Sequence, residues 1–494
     1  MEIKRVLNRP LRAMLIQPPN IGGIKSLLSH MGEQGQSIGF KPPLGLLSIA
    51  TLIKERTPHQ ILLLDAWAQK FDFDQCLKKV AAYQPDVVGI SAWTDWWYAA
   101  YRLGTLIKES MPAVHLCYGG PHVAIYPEET LSFGHVDSII AGDGEEPFSR
   151  LCDMIANGVI NNDIPGLHFK QYGVKDGQGR FFFQKDADSL PIPDRTFLPL
   201  EHYTSVLSPA DFITTMVTSR GCPHKCIYCK LSFQKPLLRS AASVVEEFRR
   251  IYDLGIREVE VYDDTFTLSK RRVLDICQGL IEQKIKLSWA VRDRVNMADR
   301  ELLEQMKEAG CTRIHYGIES GVDRILSLMQ KDTTTAQARN AIRLAKEMNF
   351  TVLAYFMLGN KGETRDDINR TIDFAFELEA DYAGFSIAVP YPGTQMYSEA
   401  LSNGIIKYDY WREFAKRPEA NFCIPGVFEG NLVLSDLIKL RNKAIRRYYM
   451  RPKYILREIT KVRSRSEFKR KATMGLMLFT SFFKDPYLRR RQRS

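Results

Sequence analysis

The sequence predicts an α/β chain in three parts: an N-terminal doubly wound parallel sheet, a partial (β/α)6 barrel, and a C-terminal helical basic region. Three observations predict it. Short apolar runs alternate with helix-length amphipathic stretches, first near the N-terminus and again from Thr214. A turn-rich, proline-marked stretch separates the two series. The last stretch, 439–494, holds 19 Lys and Arg against three acids, a net +16, while the rest of the chain carries 49 basic and 54 acidic side chains, a net −5. The expected boundaries are 10–156 for the first domain, 157–210 for a connector, 211–430 for the barrel and 431–494 for the basic region.

In the first domain the expected strands are 11–17, 60–65, 87–91, 114–118 and 136–140. Amphipathic stretches at 44–56, 73–83, 98–110 and 127–133 supply the crossovers. Ligands on such sheets sit at the carboxyl ends of the strands. There the chain places Ser91-Ala-Trp-Thr94, Gly119-Gly-Pro-His122 and Gly142-Asp-Gly144 with Glu145 and Glu146. In the connector, 173–180 is turn-rich, and the prolines of 190–195 bias their predecessors toward extended backbone. Barrel strands are expected at 216–219, 258–262, 287–291, 313–318, 352–358 and 383–389, with helices between them, for example 242–254, 270–283 and 300–309. Active sites of such barrels lie at the C-terminal ends of the strands.

A chain of 494 residues holds two or three full cores, and 45% apolar with 25% charged side chains is ordinary for a globular protein. The polar start lacks the apolar core of a signal peptide. The longest strongly apolar tract, 474–479, is far shorter than the ~20 residues of a spanning helix. Nine cysteines without a secretion leader fit a reducing compartment, so the expected location is the cytoplasm, with the inner membrane face as a peripheral variant. The basic tail reads as a solvated helical face or as a contact for an anionic membrane. Phe479, Phe482 and Phe483 beside Lys471 and Arg489, Arg490 and Arg491 suit an interfacial helix. Nucleic acid is the weaker reading.

The most informative residues are Cys222, Cys226 and Cys229, spaced C-x3-C-x2-C right after the first barrel strand. Three thiolates on one loop hold three corners of a cubane iron–sulfur cluster and leave the fourth iron open for a small molecule. A zinc site would need His224 as its fourth ligand, and four ligands within eight residues are cramped for a tetrahedral ion. A disulfide is disfavoured by the odd cysteine count.

The run, with Tyr228 directly before its last cysteine, resembles the signature of radical S-adenosylmethionine enzymes. The resemblance implies that Cys222, Cys226 and Cys229 bind a 4Fe-4S cluster whose open iron is chelated by S-adenosylmethionine. One-electron cleavage would then give a hydrogen-abstracting 5′-deoxyadenosyl radical, with Tyr228 near the adenine. Asp263 and Asp264 resemble the family's contacts to the methionine end. Glu319 and Ser320 resemble its ribose and carboxylate contacts, and Gly359 opens the loop after the fifth strand. In that loop Asn360-Lys361 replaces the usual Leu-Pro. Pro390-Tyr-Pro-Gly-Thr394 follows the sixth strand.

The N-terminal loops resemble the cobalamin-binding domain found in one branch of this family. That implies cobalamin contacts from Ser91, Thr94, Gly119, Gly120, His122, Gly142 and Gly144. The Asp-x-His-x-x-Gly motif is absent, so the lower face of cobalt is expected to carry no histidine. Arg292 and Arg294 hold a substrate carboxylate or phosphate, or merely cap a strand end. Cys76, Cys117, Cys152, Cys277 and Cys311 are expected as small buried residues, while Cys423 is a candidate for the pocket lining.

The expected activity is transfer of a methyl group to an unactivated carbon of a small substrate, an apolar one being the variant that the basic, aromatic tail suggests, with a flavodoxin- or ferredoxin-type electron donor. Cobalamin-assisted oxidation or cyclisation is the alternative. A non-catalytic protein that binds cobalamin and a cluster is the third.

Overall fold

The computed structural model describes residues 6–24, 40–230, 235–424, 432–462 and 465–481. They fall into two compact units. One holds 41–202 with the stretches 6–24 and 409–424; the other holds 203–408 and the C-terminal helices.

The first unit is built on a six-stranded sheet: β1 (Arg12–Gln17), β2 (Gln60–Asp65), β3 (Val87–Ser91), β4 (His115–Gly119), β5 (Ser138–Ile140) and β6 (Leu167–Phe169). The strand order is β2-β1-β3-β4-β5-β6. The first five are parallel, and β6 runs antiparallel to β5. β1 reads almost wholly apolar because it is covered on both faces, with Met14 between Leu62 and Val88. In this order the chain reverses direction between β1 and β3, which opens a crevice at the carboxyl ends of those two strands.

Two boundaries differ from expectation. The stretch expected as a connector supplies β6, a three-residue edge strand that runs antiparallel to β5. The helix Tyr410–Lys416, expected with the barrel, belongs to this unit instead. Trp97 Nε1 donates to Ala415 O (3.1 Å), Arg412 pairs with Glu129 (3.2 Å), and Trp411 is fully buried.

The second unit is a parallel sheet of β7 (Thr214–Met216), β10 (Glu258–Val261), β11 (Ser288–Arg294), β12 (Cys311–Glu319), β13 (Thr351–Leu358) and β14 (Tyr382–Ile387), in the order β14-β13-β12-β11-β10-β7. A small antiparallel ribbon, β8 (Ser219–Arg220) with β9 (Leu237–Leu238), leads off the first strand. The six strands expected for the barrel are all present.

Arg313 on β12 reaches across β11 to Glu258 (3.0 Å) and Glu260 (2.9 Å) on β10. Arg313 also donates to His315 (3.0 Å), whose Nδ1 lies 3.1 Å from Tyr355 Oη, and Arg292 stacks 3.5 Å from the centre of the Tyr262 ring. One face of this sheet therefore carries polar side chains, and the Arg313 charge is paired there. Cys76, Cys117, Cys152, Cys277 and Cys311 are buried as expected.

Beyond the barrel lie the helices Leu434–Tyr449, Pro452–Thr460 and Arg465–Ser481. Tyr448 and Tyr449 fasten the first of these to Ala380 O and to both backbone groups of Ala383. Among the described residues, no helix is long and apolar enough to cross a membrane.

Candidate active site

The cysteine loop starts where β7 ends, and β7 ends early for a physical reason. Asp263, at the tip of β10, draws the backbone of 218–219 out of the sheet. Its carboxylate accepts from Thr218 N (2.6 Å), Thr218 Oγ1, Ser219 N (3.1 Å) and Ser219 Oγ (2.7 Å). Arg272 holds Thr218 O (2.7 Å), and Arg239 holds Val217 O (3.1 Å). Farther along, Ile227 N donates to Met329 O (3.1 Å), and Ile227 O accepts from Met396 N (2.9 Å). The loop is thus tied at its base to β10 and at its crest to the segments following β12 and β14.

Cys222 is buried, with its Sγ 3.7 Å from Thr265 Oγ1. Cys226 is half-buried and Cys229 is exposed. Desolvation, then the negative charges of Asp264, Cys226 and Cys222, pushes the Cys229 thiol up to about 11. The three thiols therefore share one neighbourhood, and a bound metal would draw off their protons. Among the described residues, no group of three or more His, Cys, Asp or Glu converges as a single metal ion would require. Three neighbouring thiols on one loop fit a cluster in which each binds a different iron. Two cations stand close enough to act on this neighbourhood: Arg294 Nη1 is 3.6 Å from Cys226 Sγ, and Lys331 favours the Cys229 thiolate.

Tyr228 packs on Val322, Ile325, Met329, Met357 and Ala388. Lys331, itself buried, donates to Tyr228 Oη (3.0 Å) and to Glu319 Oε1 (3.0 Å). Glu319 sits at an irregularity in the β12–β13 register with φ 70°, a left-handed backbone that a non-glycine residue adopts only at a cost. Tyr228, Glu319 and Lys331 therefore form one polar group at the C-terminal end of β12, beside the cysteines. Sequence reasoning missed Lys331, because a lysine twelve residues past a strand end carries no motif by itself.

Two expected contacts to S-adenosylmethionine are corrected. Asp263 is buried, and both of its oxygens are taken by Thr218 and Ser219, so it holds the loop rather than a ligand. Ser320 is fully buried; its Oγ bonds Thr371 Oγ1 (3.1 Å) and accepts from Val322 N. Asp264 and Glu319 keep capacity. Asp264 is exposed and accepts from Gly221 N (3.1 Å). Gly359 N donates to Glu363 (2.6 Å), as does Asn360 N (2.9 Å), so Glu363 organises the loop in which Asn360-Lys361 departs from the usual form.

Arg292 stacks on Tyr262 inside the barrel, and neither its strand-cap nor its substrate reading is needed to explain it. Cys423 is exposed in the first unit, with its Sγ 3.6 Å from Asn421 O.

In the first unit, the loops after β3, β4 and β5 stand together at the carboxyl edge. Ala92 joins two of them: its N donates to Gly119 O (2.7 Å), and its O accepts from His122 N (3.1 Å). This corrects one expected cobalamin contact, His122, and shows what three of the expected glycines pack against. His122 is fully buried, stacked on Trp97 with ring centroids 4.3 Å apart, and burial holds it neutral with its pKa pushed down to about 3. It faces the core. Gly120 has φ 104°, and a Cβ there would lie 2.8 Å from Ala92 O. A Cβ at Gly142 would lie 2.1 Å from Phe182 O, and one at Gly144 2.8 Å from Ile49 Cδ1. These three glycines admit neighbouring chain.

Gly119 differs, because a Cβ there would meet nothing nearer than Ile140 O at 3.8 Å. Ser91, half-buried at the tip of β3, and Thr94, 3.4 Å from His122 Nδ1, complete the edge. The crevice between β1 and β3 is lined by residues that were not foreseen. Trp96 donates to Asn20 (2.7 Å) and packs on Trp67, while Trp93 stands half exposed. An open glycine edge beside an exposed indole fits a broad planar ligand such as cobalamin.

Comparison with known proteins agrees with this geometry. Residues 216–375 match the radical SAM superfamily, and residues 38–152 match the B12 binding domain. An uncharacterized methyltransferase of Pyrococcus horikoshii is 34% identical over 456 residues, 91% of this chain and 95% of that protein. The anaerobic magnesium-protoporphyrin IX monomethyl ester cyclase of Rubrivivax gelatinosus is 24% identical, over 92% of this chain and 80% of its own. The radical S-adenosylmethionine methyltransferase TsrM of Kitasatospora setae, solved with cobalamin and a 4Fe-4S cluster, superposes with a TM-score of 0.67. It is 19% identical and aligns with 80% of this chain and 79% of its own. The chain belongs to the radical S-adenosylmethionine superfamily, in the branch with an N-terminal cobalamin-binding domain, and is an enzyme that uses a 4Fe-4S cluster, S-adenosylmethionine and cobalamin.

Proposed function

We propose that the enzyme transfers a methyl group to an unactivated carbon of a small molecule, drawing electrons from a flavodoxin- or ferredoxin-type donor in the cytoplasm. When bound, the cluster and S-adenosylmethionine supply a hydrogen-abstracting radical, and cobalamin supplies the methyl group. The protein's part is positioning. Asp263 and Arg272 fix the base of the cysteine loop. Cys222, Cys226 and Cys229 are its ligands, Asp264 and Glu319 offer carboxylates to S-adenosylmethionine, and Tyr228 forms an apolar wall. Ser91, Thr94 and Gly119 offer the edge for cobalamin. The observation that carries the reading is a set of three neighbouring thiols on a braced loop, in a chain that also has a cobalamin-type domain.

The test is release of 5′-deoxyadenosine from S-adenosylmethionine by the reduced enzyme, lost in Cys226→Ala while cobalamin content is kept. Undiminished release in the variant would sink the proposal. Isotope from a labelled S-adenosylmethionine methyl group is expected in the product; unlabelled, oxidised or ring-closed product would instead support the cyclase-like alternative.

Peripheral contact with an anionic lipid surface, through the C-terminal helices, is part of this proposal. The helix Pro452–Thr460 is pinned on one side, where Glu458 accepts from Tyr382 Oη (2.9 Å) and Lys471 (3.2 Å), and Arg457 donates to Asp381 O (2.9 Å). On the opposite side Ile455, Leu456 (65% exposed) and Ile459 (58% exposed) face solvent. The helix Arg465–Ser481 repeats the arrangement. Arg470 is held by Ser208 O and Ala210 O, while Phe468 and Leu476 are exposed. Apolar stripes in a region of net +16 match an anionic bilayer. The full chain should co-sediment with vesicles of phosphatidylcholine and phosphatidylglycerol (3:1) and release at high salt. The pair Leu456→Ser and Ile459→Ser should abolish binding. Equal binding to pure phosphatidylcholine, or self-association without vesicle binding, would overturn it.

A further inference from the structure

We infer that Arg294 is a positioning residue that raises the reduction potential of the iron–sulfur cluster by donating to Cys226. The inference rests on the cluster assignment above. Arg294 is buried at the C-terminal tip of β11, yet among the described residues no carboxylate forms an ion pair with its guanidinium. The neighbouring Asp293 accepts instead from Thr267 Oγ1 (2.6 Å) and from the backbone N of Arg294 (2.9 Å). The guanidinium is aimed by neutral acceptors: Nη2 donates to Lys331 O, and Nε to Asn296 Oδ1 (3.3 Å). That leaves Nη1 at 3.6 Å from Cys226 Sγ.

A buried cation without a carboxylate partner is costly unless an anion stands beside it. The Asp293 carboxyl stands nearby and is favoured as an anion by Arg294, but the group that the guanidinium itself reaches is the Cys226 sulfur. When one electron enters a thiolate-bound cluster from a low-potential donor, negative charge grows on the sulfurs and no bond breaks. A fixed cation donating to one of those sulfurs stabilises the reduced state more than the oxidised one. Arg294 also ties the cluster loop to Lys331, and through it to Glu319 and Tyr228, so its orientation is set by the same group that lines the site.

The test uses the full chain, reconstituted anaerobically, with iron and sulfide counted and the midpoint read by electron paramagnetic resonance during a potentiometric titration. Arg294→Gln, and Arg294→Met in case the amide is not tolerated, should keep a wild-type cluster content. Their midpoints should be lower by about a tenfold change in the reduction equilibrium, or 59 mV for one electron. Arg294→Lys keeps the charge and should recover most of that shift. A neutral variant with a full cluster and a wild-type midpoint would overturn the inference. So would loss of the cluster from both neutral variants, which would make Arg294 an assembly residue. Wild-type protein that takes up zinc and no sulfide would instead refute the cluster assignment itself.

Discussion

The adjacent carboxylates Asp263 and Asp264 make opposite predictions, and the pair tests how the site is built. Asp263→Ala removes an acceptor that serves two backbone N–H groups and two hydroxyls, all buried. The hydroxyls can turn to other acceptors, but the two N–H groups cannot. At about 1–3 kcal/mol for each buried unsatisfied group, the cost is about 4 kcal/mol. For a unit of this size that lowers the melting midpoint by roughly 10 °C. Asp263→Asn keeps one oxygen for the two N–H groups, while its amide donates to Thr218 Oγ1 and Ser219 Oγ, which accept instead of donate. It loses only charge assistance, about 1–2 kcal/mol. Asp264→Asn, at an exposed site with one bond to Gly221 N, should leave stability within ~1 kcal/mol. It should weaken S-adenosylmethionine binding by about tenfold, the size of one charge-assisted contact. The assays are denaturant unfolding of cluster-free protein, iron per chain after reconstitution, and equilibrium dialysis of S-adenosylmethionine. If Asp263→Asn unfolds like wild type but loses S-adenosylmethionine affinity, the assignment of Asp263 to the loop is wrong.

Two further outcomes follow from named geometry. Burial pushes the Glu363 carboxyl up to about 7 from its ordinary 4.5, so between those values the folded chain holds a proton that the unfolded chain has released. Its contribution is complete below pH 4.5 and lost as pH rises to about 7; Glu363→Gln should flatten urea midpoints measured from pH 5 to 8, removing a change of up to about 3 kcal/mol. Gly120→Ala should destabilise the first unit by about 1–3 kcal/mol through its positive φ and the clash with Ala92 O, whereas Gly119→Ala should fold normally and bind less cobalamin; equal unfolding midpoints for the two would contradict the contrast.

The strands were legible where they recur between helix-length amphipathic stretches. All six barrel strands and the five parallel strands of the first unit stand within a few residues of expectation. β6 was not legible, since it is an antiparallel edge strand that follows the alternating strand–helix series, and its pairing partner lies 27 or more residues away. The early end of β7 was hidden for a related reason. The residues that leave the sheet, Thr218 and Ser219, have good strand propensity and are removed by a carboxylate more than forty positions later.

The site shows what kind of information a motif carries. The cysteine spacing states its own chemistry, because three thiolates within eight residues have few other uses. A glycine states only that a Cβ is excluded, not what excludes it. At Gly120, Gly142 and Gly144 the excluding atoms belong to Ala92, Phe182 and Ile49, and at Gly119 alone the space is left open. A carboxylate at a strand end likewise states a charge without its partner: Asp263 turns to the protein and Asp264 to solvent, though they are neighbours in sequence. Lys331 and Arg294 gain their meaning only when β11 and β12 bring them beside Tyr228 and Cys226. In this protein the cysteines expected to bond metal were readable one residue at a time, whereas the charges beside them become visible only through the order of the strands.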